Sequence, residues 1–184
     1  MIEKVANIQD NFLQQEEFIN LRDVITSFEF PWHYSSSVVY EATSGPGFFY
    51  HVIYGQDQPQ SPFFNNLGYI LNQLNIFVLI RVRINLNHRL PTPHYSDFHT
   101  DVKGEAVPWE SGISHWTTSI FYIDTNNGYT ELQDGTKIES VANRLVSFPL
   151  STPHRFVSQT DEQTRHVINF GYLRKNVDDD EKRK

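Results

Sequence analysis

The chain contains no cysteine. That excludes disulfides, thiolate metal sites and cysteine nucleophiles, and it is compatible with a reducing, cytoplasmic setting in the producing or host cell. Positive charge is in deficit as well. A net charge of −7 and a pI near 5.5 argue against a protein built to grip phosphate backbones, so a nucleic-acid partner is not expected. Long apolar runs are also missing. The most apolar stretch, "YILNQLNIFVLIRV", is interrupted by Asn and Gln and closed by Arg81, and reads as a helix end running into a buried strand. No membrane partner is expected, and the N-terminus lacks a basic-then-apolar leader pattern.

What the chain does have is length and aromatic rings. At 184 residues it suffices for one domain with a full core. Fourteen Phe and nine Tyr favour a sheet-rich protein, because aromatic side chains suit a pleated, half-buried surface. We expect a single domain over residues 1–175, with supporting helices and strands in 1–75 and a strand-rich core in 76–174. The remainder, 176–184, reads as a charged tail.

In "EEFINLRDVITSFEF", Phe18, Leu21, Val24, Ile25 and Phe28 recur at helical spacing, which predicts an amphipathic helix ending before Pro31. "SSVVYEA" and "FFYHVIYG" read as strands joined through "TSGPG". Ser61 as N-cap with Pro62 at the first helical position starts a second helix in "SPFFNNLGYILNQL". From residue 76 eight short strands follow: "IFVLIRVRINL", "DFHTDV", "HWTTSIFYI", "YTELQ", "KIESV", "RLVSFP", "HRFVSQ" and "RHVINFGYL". Strands at this spacing, separated by turn residues, predict a sandwich, barrel or jelly roll.

Three features on this ladder carry chemistry. In "HYSDFHTDV", His99 and Asp101 stand one residue apart, so in an extended strand both side chains lie on one face. In "FPLSTPHRF", His154 begins a late strand. In "TRHVINF", Arg165 follows a tight turn. If the last two strands formed a hairpin, His154 and Arg165 would face one cavity. Two imidazoles and a carboxylate on one side of a metal form the facial triad of non-haem Fe(II) oxygenases. A buried arginine further in would clamp a carboxylate. The two parts together suit 2-oxoglutarate.

The ordered set "HTD", "GYTEL", "NRLVSFP", "PHRFVSQTDEQTR" and "INF" resembles the 2-oxoglutarate/Fe(II)-dependent oxygenase superfamily, and most of all its prolyl-4-hydroxylase-like branch, including small bacteriophage-encoded members. The resemblance covers roughly residues 76–174. It implies a mainly β fold, a double-stranded β-helix (jelly roll) with supporting N-terminal α-helices. It implies His99, Asp101 and His154 as catalytic iron ligands and Arg165 as partner of the distal carboxylate of 2-oxoglutarate. Tyr122, Asn85 and Asn169 match further cosubstrate-binding positions. With O2 the implied reaction is hydroxylation of a C–H bond, since Asp101 fills the place that related halogenases leave for chloride. The loop "KGEAVPWESGIS" would cover the substrate, with Trp109 in contact. One departure is "NNGY", where many relatives have a double glycine; it is expected to alter a turn only.

A peptide or protein substrate of prolyl type is the leading expectation, a small metabolite the competitor. A jelly-roll protein with an inert or zinc-filled site is the non-enzymatic alternative. The remaining histidines fit structural roles: His88, His94 and His115 in loops, His33 and His51 without a partner pattern, and His166 turned away from Arg165. Glu131 and Asp124 read as rim or turn carboxylates. Arg81 and Arg83 read as lining the mouth of the barrel or facing solvent.

Overall fold

The computed structural model describes residues 6–36, 45–101 and 116–175. Two antiparallel sheets face each other. In chain order the strands are β1 (Asn7–Gln9), β2 (His33–Ser35), β3 (Phe48–Gly55), β4 (Gln58–Pro59), β5 (Ile76–His88), β6 (Trp116–Tyr122), β7 (Tyr129–Leu132), β8 (Lys137–Glu139), β9 (Arg144–Pro149), β10 (His154–Val157) and β11 (Thr164–Arg174). The large sheet runs β1-β9-β6-β11-β5-β3-β2, with β4 on β3; the small one runs β10-β7-β8. This is a jelly roll, mainly β as the sequence leads one to expect. The last two strands, however, do not form a hairpin. β11 pairs with β5 and β6, whereas β10 pairs with β7. The segment "VSQTDEQT" therefore crosses between sheets, and His154 and Arg165 meet across the sandwich.

Alternation along β11 sorts the interior into two layers. Ile168, Phe170 and Tyr172 join Val82, Ile84 and Phe121 in a core that also takes Phe18, Leu21 and Ile25 from the helix α1 (Gln15–Ile25). Each such fully buried apolar side chain contributes about 1.5–3 kcal/mol. The opposite face of β11, carrying Arg165, Val167 and Asn169, looks into the space between the sheets. Ile120, Tyr122, Leu132, Ile138, Val146, Phe148 and Val167 make a second apolar cluster around it.

Helix α1 stops at Ile25, short of the predicted stripe. The hydroxyls of Thr26 and Ser27 donate to the carbonyls of Arg22 and Val24, ending the helix and leaving Phe28 97% exposed. Ser61 does cap its segment, accepting from the Phe63 N–H. The first turns there are 3-10 (Pro62–Leu67) before α2 (Gly68–Gln73). The apolar run that follows is buried only from Val82 onward, since Phe77 and Val78 at the start of β5 are exposed. As far as it is described, to Asp101, "DFHTDV" is no regular strand; it and the residues before it touch β10 through single bridges, Tyr95 to Val157 and His99 to His154. "SSVVYEA" from residue 37, the loop with Trp109 and His115, and the tail 176–184 lie outside the described residues.

Asn143 ties the N-terminal segment to the sheet. Its backbone takes φ 62°, a left-handed position that Asn tolerates better than most residues. Its side-chain amide donates to the Leu13 carbonyl (2.8 Å) and accepts from the Leu13 N–H (2.9 Å). At "NNGY", the Asn127 N–H and side chain bind Asp161 and Thr160, so the departure is absorbed within neighbouring turns.

Asn143→Ala is expected to lower the unfolding free energy by about 2–4 kcal/mol, from two buried hydrogen bonds and left-handed strain; urea denaturation checks this, with Asn143→Gly falling between the two. A second test concerns Asp10. Its hydrogen bond with Arg144 (2.6 Å) holds the carboxyl below its ordinary value, against a smaller opposing effect of burial. A depressed folded-state pKa gives stability that is complete above the unfolded value and lost as pH falls through the folded one. Asp10→Asn should thus trail the parent protein at pH 6, and the gap should close below about pH 4. A gap unchanged in acid would refute the linkage.

Candidate active site

His99 and His154 are joined before their side chains are considered. The His99 N–H donates to the His154 carbonyl and the His154 N–H to the His99 carbonyl, both at 2.9 Å. This two-way bridge brings the imidazoles to a centroid separation of 4.9 Å. Each ring is oriented by the same device. Nδ1 of His99 donates to the Asp97 carbonyl and Nδ1 of His154 to the Thr152 carbonyl, each at 3.1 Å. A carbonyl only accepts, so Nδ1 carries the proton and the Nε2 lone pair is left for the interior. Backbone-oriented imidazoles of this kind are usual in metal sites.

Asp101 completes the group. One ligand atom from each of His99, Asp101 and His154 lies within 4.8 Å of the others. Arg81 donates to the backbone carbonyl of Asp101 at 2.6 Å, fixing the turn that aims the carboxylate inward. Oδ2 of Asp101 lies 3.8 Å from Nε2 of His154 and, though buried, accepts no hydrogen bond. Burial works to raise the Asp101 pKa, but His154, Arg81, His99 and Arg83 together outweigh it and hold the carboxyl below its ordinary value. The His99 imidazole is pushed down, by burial first and by His154 second. An ionised carboxylate beside two imidazoles whose Nε2 lone pairs face the interior is the donor set of a divalent transition metal, and the orphaned oxygen has the geometry to take one. The residues fit the ferrous ion implied by the sequence.

The cavity extends from this triad toward Arg165. Its wall includes Asn85, Asn87, Thr130, Phe156 and Asn169. Arg165 is 1% exposed. Its Nε donates to Ser140 at 2.7 Å, and Nη2 reaches Thr130 at 3.5 Å. Tyr122 lies under the guanidinium, with the ring centroid 5.6 Å from Cζ, and donates its hydroxyl to Thr130 at 2.8 Å. Burial pulls the Arg165 pKa down and raises that of Tyr122. Thr130 rather than Tyr122 reaches the wall, so the tyrosine stands behind the arginine. Asn85 and Asn169 both face the cavity, and Asn85 Oδ1 is buried without a partner.

The structure also supplies residues that the sequence did not single out. Asn87 stands opposite Arg165 on the neighbouring strand, and Thr130 and Ser140 hold the guanidinium. Arg83, read from sequence as a mouth or solvent residue, lines the cavity near the metal triad; burial pushes its pKa down to about 10. The period-two pattern of "RVRINLN" was the available signal, since it places Arg83, Asn85 and Asn87 on one face. His166 does turn away from Arg165 and pairs with Asp124 at 2.7 Å. His51, given no partner from sequence, bonds Ser61 at 2.8 Å and stacks on His33.

No protein-family model matches the chain, and no curated protein matches its sequence. Solved structures do match in fold. A 2-oxoglutarate/Fe(II) oxygenase family oxidoreductase from Burkholderia pseudomallei aligns at a TM-score of 0.61 and 12% identity, over 94% of this chain and 86% of that one. A Trichoplax adhaerens prolyl hydroxylase, solved with a hypoxia inducible factor peptide fragment, aligns at 0.62 and 14% identity, covering 92% and 83%. The viral collagen prolyl hydroxylase of Paramecium Bursaria Chlorella virus-1, solved with 2-oxoglutarate, aligns at 0.54 and 13% identity, covering 94% and 97%. The chain thus has the fold of the 2-oxoglutarate/Fe(II) oxygenases. Among the described residues no helix is long and apolar enough to cross a membrane.

Asp101→Asn is expected to weaken Fe(II) or Co(II) binding at least about 100-fold, more than loss of a group that only orients a ligand. The metal-free protein should lose only modest stability, because the surrounding cations favour ionised Asp101 in the fold while Asn keeps its volume and polarity. Metal titration and thermal denaturation together check this; a large loss of stability would make Asp101 a structural residue instead.

Proposed function

We propose that the chain is a 2-oxoglutarate- and Fe(II)-dependent dioxygenase that hydroxylates a C–H bond. The single observation that carries this reading is the pairing, in one cavity, of a His–Asp–His donor set with a fully buried arginine whose fork is only partly used. A metal-binding jelly roll without catalysis has no use for that guanidinium. The fold shared with oxygenases supports the reading.

His99, Asp101 and His154 would hold the metal and leave three positions open. Bound Fe(II) supplies the oxidative chemistry: 2-oxoglutarate, O2 and substrate yield succinate, carbon dioxide and the hydroxylated product. The protein's own groups do the rest. Arg165, braced by Ser140 and Tyr122, binds the far carboxylate of 2-oxoglutarate, with Asn85 and Asn169 as polar contacts along its length. The apolar wall of Ile120, Phe156 and Val167 excludes water. Trp109 is assigned to substrate contact by the resemblance alone.

For substrate we infer a peptidyl residue of prolyl type. Beside His99 the rings of Tyr95 and Phe98 are exposed, 49% and 39%, and both stack on Arg155. Such a platform suits an extended peptide, and the Trichoplax adhaerens enzyme was solved with one. A small metabolite is the second reading, favoured by the additional cation Arg83 in the cavity.

Anaerobic addition of Fe(II) and 2-oxoglutarate should produce the visible charge-transfer band of a chelate, and with O2 the protein should release succinate. Arg165→Ala should raise the half-saturating 2-oxoglutarate concentration about 10- to 100-fold, the worth of a charge-assisted hydrogen bond, with metal content unchanged. No band in the unaltered protein would reject the dioxygenase; parallel loss of metal in the variant would reject the role of Arg165.

A further inference from the structure

The cavity holds two arginines, and the cosubstrate engages one. Strand alternation turns Arg83, Asn85 and Asn87 inward, while Val82 and Ile84 go to the helix-side core. The register with β11 fixes their depth. Asn87 stands opposite Arg165 and Arg83 opposite Asn169, so the two arginines enter four residues, about 13 Å, apart along the sheet. Their fields fall on different groups. Arg83 acts on His99 and Asp101, whereas the charges acting on Arg165 are those of Tyr122 and Asp124. Arg83 therefore sits at the metal end and Arg165 at the far end.

Arg83 is also prepared to bind something. Its guanidinium lies over Phe48 at 5.5 Å and Tyr50 at 5.8 Å, which fixes the plane of the fork at little entropic cost. Its Nε is buried without a hydrogen-bond partner. The ion pair to Asp101 is made by Arg81; among the described residues Arg83 has none. Closing off the Nε–H without an acceptor is costly.

We infer that Arg83 binds a carboxylate of the substrate, placed beside the metal on the side away from the cosubstrate arginine. The inference rests on the dioxygenase reading and names the chemical class that reading left open: the substrate is an acid. The carboxylate belongs to a free amino acid or to an acidic peptide, and two arms of one experiment distinguish them. One arm compares free amino acids, L-proline among them, with their amides. The other compares prolyl peptides carrying Asp or Glu beside the proline with Asn or Gln counterparts. Both measure succinate formation, and calorimetric binding to protein loaded with Zn(II) and 2-oxoglutarate.

In one arm the acid should outperform its amide at least about tenfold. Arg83→Gln should erase that preference, and Arg83→Lys should retain part of it. In both variants the half-saturating 2-oxoglutarate concentration for the charge-transfer band should move less than about threefold, well below the Arg165→Ala effect; the band also reports that the variants fold. If no acid exceeds its amide in either arm, or if Arg83→Gln weakens 2-oxoglutarate as Arg165→Ala does, the assignment of Arg83 is wrong. Absence of the band in the unaltered protein would instead defeat the dioxygenase reading itself.

Discussion

An ionised carboxylate is held inside this protein with one oxygen accepting no hydrogen bond. The Oδ2 of Asp101 is closed off from solvent and faces two imidazole nitrogens whose protons have been committed elsewhere. Leaving a charged acceptor unsatisfied costs more than the 1–3 kcal/mol of a neutral group. The fold tolerates this because Arg81 and Arg83 set positive charge beside the carboxylate. A cation bound among the three donors would give that oxygen the partner it lacks.

The rest of the architecture serves to hold that arrangement. The bridge between His99 and His154 is made of backbone atoms, so the distance between the imidazoles does not depend on side-chain rotamers alone. The small sheet carries His154 and Thr130, the large sheet carries Arg83, Asn85, Asn87, Arg165 and Asn169, and the cavity is what lies between them. Helix α1 and the segment from Pro62 to Gln73 cover the outer face of the large sheet with aliphatic and aromatic side chains. They leave the inner face free to be polar. Two cavity guanidiniums, one buried and one half-buried, against one carboxylate make the cavity positive, the reverse of the chain's net charge of −7, and suit it to anionic ligands.

Much of this was legible beforehand because strand alternation and turn chemistry are local. The β-rich class, the strands from β5 to β11 and the Ser61 cap all follow from residues within a few positions of one another, whereas His154 joined His99 and Asp101 through the ordered motifs and the resemblance. The failures have local causes too. Phe28 keeps helical spacing with Phe18 and Leu21, but hydroxyls at Thr26 and Ser27 compete for the helix's last carbonyls, and periodicity does not weigh that competition. Phe77 and Val78 are apolar yet exposed, because an apolar run does not say where the covering elements stop.

The sequence by itself determined which side chains share a face in the regular strands, and so that Arg165 and His166 part company. Tertiary structure alone decided how the faces meet: that β10 and β11 belong to opposite sheets, that Asn87 stands across from Arg165, and that Arg83 is an interior cation. Pairing of distant strands is fixed by the burial of the whole sandwich, a property of no single segment, and the depth of a residue in a cavity follows from that pairing.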